Sequence, residues 1–149
     1  MLRGTFSVLI LSLLSYCYAQ DLKCSSESQY HIPDVTANWY KASEYCNSIG
    51  MRLAVISSNQ QQDNLVAMIK SSSKYNTAKM EIWIGGSDLA KEGEFIWQST
   101  GAKIGYANWN KKQPDNAGGN EHCVQIRHIP AVNWNWHWND RDCKVATSH

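Results

Sequence analysis

The chain has almost no net charge: 14 Lys and Arg stand against 13 Asp and Glu. This balance gives no argument for nucleic acid or an acidic membrane surface as a partner. No basic run and no long apolar span occurs after the first twenty residues. A membrane-crossing helix needs about 20 apolar residues in succession, so none is expected there. Internal repeats, low-complexity segments and coiled-coil heptads are missing. So is any Asn-x-Ser/Thr acceptor, which removes N-glycosylation. Neither Gly-x-Ser-x-Gly nor His-Glu-x-x-His occurs, so two common signs of a hydrolase are lacking.

What is present begins with an export signal over residues 1–19. Arg3 gives a positive start, the run from Phe6 to Leu14 is apolar, and Cys17-Tyr18-Ala19 supplies the small residues a signal peptidase reads. Cleavage is expected after Ala19, leaving Gln20 first. The apolar run is too short to span a bilayer of roughly 30 Å, so the chain is expected to be secreted and extracellular. Losing Arg3 leaves 13 bases against 13 acids, formally neutral. The remaining length fits one domain able to bury a core. Of five cysteines, Cys17 leaves with the signal. Cys24, Cys46, Cys123 and Cys143 remain, an even count that reads as disulfides with three connectivities open.

The stretch from Gln113 to Cys143 carries the chemistry. Gln113-Pro114-Asp115 and Glu121 precede Cys123; Asn139-Asp140 precede Cys143. All five side chains offer oxygen, three of them as carboxylates. Ca²⁺ takes roughly six to eight oxygens from such groups, whereas zinc and copper want His nitrogen or Cys sulfur. A glycosidase needs two carboxylates on opposite sides of a scissile bond, and Asp115 and Glu121 resemble such a pair. A carboxylate that holds a cation is a poor general acid, so a binding module is expected rather than an enzyme.

This stretch resembles the C-type lectin domain, and the resemblance extends from about Tyr30 to the C-terminus. In that family a Gln-Pro-Asp or Glu-Pro-Asn triplet, a Glu two residues before a Cys, and a Trp-Asn-Asp triplet near the next Cys build one calcium site. That calcium also holds the sugar. The resemblance implies Gln113, Asp115, Glu121, Asn139 and Asp140 as ligands of Ca²⁺ and of sugar. It implies a cis Gln113–Pro114 bond, which aims Gln113 and Asp115 at one ion. Gln-Pro-Asp implies galactose-type ligands, and the mannose-type triplet is Glu-Pro-Asn. Galactose-binding members commonly place a Trp just after the triplet, where Asn116 and Ala117 stand here. Trp109, Trp134 and Trp136 are the candidates for the stacking ring; the loop Trp134-Asn135-Trp136-His137 is expected to supply it, with Trp136 preferred. A Cys123–Cys143 disulfide is implied too, contributing about 3 kcal/mol through loop entropy. The family's closing strand carries a further Cys that pairs with the position of Cys46. The chain stops at His149 without it, so the final strand is expected to be short and Cys46 free or paired with Cys24. Asp88 and Glu92 match two ligands of an auxiliary calcium site, while Asn116 and His122 stand where further acids usually sit. That site is expected to be weak or absent.

The fold implied is α+β, two helices flanking short antiparallel sheets, with a domain over residues 30–149 after a loose segment 20–29. Strands are expected at Tyr30–Ile32, Leu53–Ile56, Glu81–Gly86, Phe95–Trp97, Cys123–Ile126 and Trp136–Trp138. A first helix is predicted over Thr36–Ile49. It buries Trp39, Ala42, Cys46 and Ile49, is capped by Asn38 or Thr36, and ends at Gly50. A second is predicted over Asn59–Ser72, with Ser58 and Gln61 as a capping box and Leu65, Val66 and Ile69 inside. Residues 101–119 show little pattern, and long irregular stretches of this kind usually serve function. A lectin-like domain that binds protein or lipid without sugar is the alternative reading. Homo-oligomer formation stays open, since multivalency offsets the weak binding of single sugars.

Overall fold

The computed structural model describes residues 30–34 and 36–147. The expected export signal, the segment 20–29 and Cys24 lie outside them. Two helices and one sheet result. Helix α1 spans Trp39–Ser48 and α2 spans Asn59–Ser71. Strands β1 (Met80–Ser87), β2 (Ile96–Trp97), β3 (Cys123–Ile129) and β4 (Trp134–Arg141) make an antiparallel sheet in the order β2-β1-β3-β4.

Local chemistry sets the helix starts. The Asn38 side chain accepts from the Lys41 N–H at 2.9 Å, and Ser58 Oγ accepts from the Gln61 N–H at 3.2 Å. Each satisfies a donor the helix cannot. The capping box at α2 is displaced by one residue: Gln61 Oε1 reaches back to the N–H of Ser57, at 2.7 Å. Leu65 and Ile69 are buried as predicted, while Val66 is half-buried. Ile49 is a correction. It caps α1 outside the helical phase and is 46% exposed, because the helix stops at Ser48 and Gly50 turns the chain at φ +73.

Two expected strands are absent. Tyr30–Ile32 is irregular, and Leu53–Ile56 forms no ladder. The second segment still runs against β1, where the Ala54 carbonyl accepts from the Gly85 N–H at 2.9 Å. Gly85 permits that approach: a Cβ there would meet the Leu53 carbonyl oxygen at 3.1 Å. The run is apolar because it is covered, and its backbone makes no regular pairing.

Trp138 is the centre of the core. It is fully buried, with Trp97, Tyr106 and Trp109 rings at 5.8, 5.8 and 5.7 Å, all edge-on. A second cluster of Trp39, Trp83, Cys123 and Cys143 sits under α1. Trp39 Nε1 donates to the Ile84 carbonyl at 2.9 Å, tying α1 to β1. Thr147 pairs with Ala37 just before α1, so the closing segment lies beside the helix start.

β4 does not run straight. Arg127 faces His137, but His128 faces Asn135, so Trp136 is an extra residue in the ladder. It adopts φ +63, a left-handed conformation that is costly for a bulky side chain. Two amides hold it: Gln62 Nε2 and Asn108 Nδ2 each donate to the Trp136 carbonyl at 3.0 Å. Residues 101–119 are mostly irregular, as expected, and they hang on the same strand. Trp138 N–H donates to the Asn108 carbonyl at 2.7 Å, and Asn110 N–H to the Trp138 carbonyl at 3.0 Å.

Candidate functional site

Antiparallel pairing brings the start of β3 beside the end of β4: Cys123 faces Arg141 and Val124 faces Asp140. Glu121 precedes the first of these strands and Asp140 lies near the end of the second. The Cys123–Cys143 disulfide closes the same corner. Among the described residues Cys46 has no disulfide partner; it is half-buried, which pushes its thiol up from the ordinary value.

The loop carrying the triplet is fastened to this corner by Asp140. One carboxylate oxygen accepts from the Asp115 N–H at 3.2 Å, the other from the Asn116 N–H at 2.7 Å. Asn116 in turn accepts at its side-chain oxygen from the Glu121 N–H, at 2.9 Å. It does so from a left-handed backbone, φ 42, which Asn tolerates better than most residues. The role of Asn116 was not expected. A readable signal existed, since Asn before Ala-Gly-Gly is turn chemistry.

The consequence is electrostatic. Asp115, Glu121 and Asp140 each offer an oxygen within 4.8 Å of the others. Asp140 and Glu121 are buried, while Asp115 is exposed. Burial is the main reason the Glu121 carboxyl titrates above its ordinary range, and the neighbouring charges of Asp140 and Asp115 add to it. The Ala117 N–H and Arg141, whose guanidinium lies 3.9 Å away, work in the other direction. Asp140 is raised chiefly by burial too, against the lowering effect of the Asn116 and Asp115 N–H groups.

The Gln113–Pro114 peptide is cis. Gln113 Oε1 is buried and accepts no hydrogen bond, a costly state for a carbonyl. The buried Asn139 side chain turns onto the Asp140 carbonyl. The three converged carboxylates offer only oxygen, and Gln113, two residues before Asp115, carries an orphaned amide oxygen. Such a set fits a hard divalent cation of the calcium type and not a soft one.

Two expectations change. Trp136 is not a ring available to a ligand. It is 5% exposed, and His128 stacks on it at 4.4 Å with Tyr75 at 6.1 Å. The segment 134–137 is strand, not loop, and the bulge turns Trp136 inward. Trp134 sits at the far end of β4 under the Arg127 guanidinium, roughly 20 Å from Asp140 at strand spacing. Asp88 and Glu92 do come together, but their third partner is His122.

Residues 35–148 match the family profile described as Lectin C-type domain. Similarity to named proteins agrees. The chain is 42% identical to C-type lectin 16 of Aedes aegypti over 134 residues, covering 90% of this chain and 86% of that protein. It is 38% identical to Salivary C-type lectin 1 of Aedes albopictus over 143 residues, 96% of this chain and 93% of the other.

The chain belongs to the C-type lectin domain family.

Solved C-type lectin structures share the fold. The cow C-type carbohydrate-recognition domain of CD23, in the presence of GlcNAc2Man3 oligosaccharide, superposes with a TM-score of 0.60 at 31% identity, over 76% of this chain and 77% of that one. The mouse Scavenger Receptor C-type Lectin carbohydrate-recognition domain gives 0.61 at 25%, over 79% and 88%. Within this C-type lectin, the cluster at Asp115, Glu121 and Asp140 sits at one corner of the sheet, held by β3, β4 and their disulfide. No helix among the described residues is long and apolar enough to cross a membrane.

Proposed function

We propose that this C-type lectin is a secreted, calcium-dependent carbohydrate-binding protein with galactose-type ligands. The observation that carries the reading is the convergence of Asp115, Glu121 and Asp140, with a buried, donor-less amide oxygen on Gln113 two residues before Asp115. Gln113, Asp115, Glu121, Asn139 and Asp140 would hold the ion. Bound Ca²⁺ supplies a positive anchor at which sugar hydroxyls can take the place of water. The chain's own side chains do the selecting. Carboxylates accept a hydroxyl proton, and amide N–H groups donate to a hydroxyl lone pair. The order of amide and acid in Gln113-Pro114-Asp115 therefore decides which pair of neighbouring hydroxyls fits, and by resemblance this order takes galactose. Binding is reversible, with no bond made or broken. The salivary name of one relative and the export signal at residues 1–19 support secretion. Retention on a galactose column in millimolar calcium, with release by a chelator, is the expected result. Failure to stick while the folded protein still binds calcium would reject the sugar half of the reading.

One observation favours a second reading, binding of protein or lipid without sugar. Asn116 and Ala117 follow the triplet in place of a ring, and Trp136 is covered by His128. A glycan array without a single calcium-dependent signal would support it.

A further inference from the structure

Asp88 and Glu92, in the turn that follows Ser87, meet His122 just before β3. Backbone bonds fix the frame. The Asp88 N–H donates to the His122 carbonyl at 3.1 Å, and the His122 N–H donates to the Arg141 carbonyl at 3.2 Å. The Asp88 carboxylate is 1% exposed. Its Oδ2 accepts from the Gly93 N–H at 2.8 Å, which leaves Oδ1 aimed at His122 Nδ1, 3.1 Å away. Glu92 Oε2 approaches the same nitrogen at 3.4 Å. One ring nitrogen carries at most one proton, and one proton serves one oxygen well. Two carboxylates converge on it all the same, one of them fully desolvated. A cation in that proton's place would answer both.

The family's auxiliary ion is calcium, and this donor set does not suit it. Calcium is held by charge and oxygen count. Here there are two carboxylates, one of them half in solvent, and the third donor is nitrogen. Imidazole nitrogen with carboxylate oxygen suits borderline ions such as Zn²⁺, and three protein ligands with one place for water is a common zinc arrangement. We propose that Asp88, Glu92 and His122 form a site for a divalent transition ion of the Zn²⁺ class, in place of a second calcium. The ligand atoms lie within 4.8 Å of one another, and the His122 ring is partly open to solvent, so the ion has a way in. Its Nδ1 would be the ligand, and binding would displace the proton shared with Asp88.

The test uses the full chain, stripped of metal and then held in millimolar calcium so that the cluster at Asp140 is satisfied. Cobalt(II) is titrated in as a coloured surrogate for zinc. Visible absorption should appear with one equivalent, and added Zn²⁺ should remove it. His122→Asn should weaken zinc by at least about tenfold. His122→Asp should lose the cobalt colour and bind two calcium ions by calorimetry where the parent binds one. Zinc binding that survives His122→Asn, for instance at Cys46, would overturn the proposal. So would two calcium equivalents in the parent chain, or no zinc uptake at all. Asp140→Asn serves as the control: it should abolish the first calcium and leave the zinc titration unchanged, so the two sites fail separately.

Discussion

Gln62 on α2 donates to the carbonyl of Trp136 on β4, at 3.0 Å, across 74 residues of sequence. Its other atom, Oε1, accepts from Trp138 Nε1 at 2.9 Å. One buried amide thus grips both sides of the bulge. The bulge sets the phase of everything after it, including Asn139 and Asp140. Gln62→Leu keeps the volume and removes both bonds. The buried Trp138 indole Nε1–H then loses its acceptor, a cost of about 1–3 kcal/mol. The expected outcome is a lower urea midpoint together with weaker calcium binding. A variant as stable and as calcium-competent as the parent would show that Gln62 does not hold the strand's register.

Asp140 has two duties. It is a member of the carboxylate cluster, and it fastens the loop through the Asp115 and Asn116 N–H groups. Asp140→Ala should therefore do more than remove a ligand. Loss of an anionic ligand should cost on the order of several kcal/mol of calcium affinity, and two freed N–H groups should loosen residues 115–121. Asp140→Asn keeps one acceptor and isolates the loss of charge. Calorimetry on the two variants, with hydrogen exchange at Asn116, separates ion from loop. The expected pattern is abolished calcium binding in both and faster exchange chiefly in the alanine variant.

Acid should act in opposite directions with and without calcium. Glu121 and Asp140 are both raised above ordinary carboxyl values, mainly by burial. A carboxyl raised in the fold makes the folded chain bind more protons than the unfolded one. Its contribution to stability is present below the unfolded value and is lost as pH climbs through the raised folded value. Chelator-treated protein should therefore melt higher in mild acid than at neutrality, and Asp140→Asn should flatten that slope. With calcium the protons compete for the same oxygens. Affinity should then fall as pH drops, starting above the ordinary carboxylate range. Melting curves over the same pH series, with calcium and with chelator, check both signs.

The readable parts of this chain were those decided by neighbours in sequence. The Ser58 cap, the inward faces of Leu65 and Ile69, and the strand at Trp83 follow from spacing and side-chain chemistry, and of the two caps offered for α1, Asn38 and Thr36, the structure takes Asn38. Asp115, Glu121 and Asp140 could be nominated because their donor types and the flanking cysteines stand in order, and the fold does bring the three together. What could not be read depends on distant partners. Nothing local tells an apolar run that pairs from one that is merely covered, so Leu53–Ile56 was expected to be a strand. Trp136 at φ +63 runs against its own steric preference. It stays there because Gln62 and Asn108 hold its carbonyl, and neither is near it in sequence. For the same reason, its ring was expected outside and is found against His128.

Exchanging the amide and the acid of the triplet is the decisive test of sugar choice. Gln113 and Asp115 flank Pro114, and their backbone is fixed from elsewhere. The Gln113 N–H donates to the Asn110 carbonyl at 2.9 Å, and the Asp115 N–H donates to Asp140. The two side chains can therefore be exchanged without disturbing those bonds. Gln113→Glu with Asp115→Asn conserves the count of carboxylates, so calcium affinity should change little. Donor and acceptor positions for the sugar hydroxyls are reversed by the swap. On a glycan array in millimolar calcium, preference should move from galactose-terminated toward mannose-terminated glycans. A double variant that keeps calcium and keeps galactose would place the selecting residues outside the triplet.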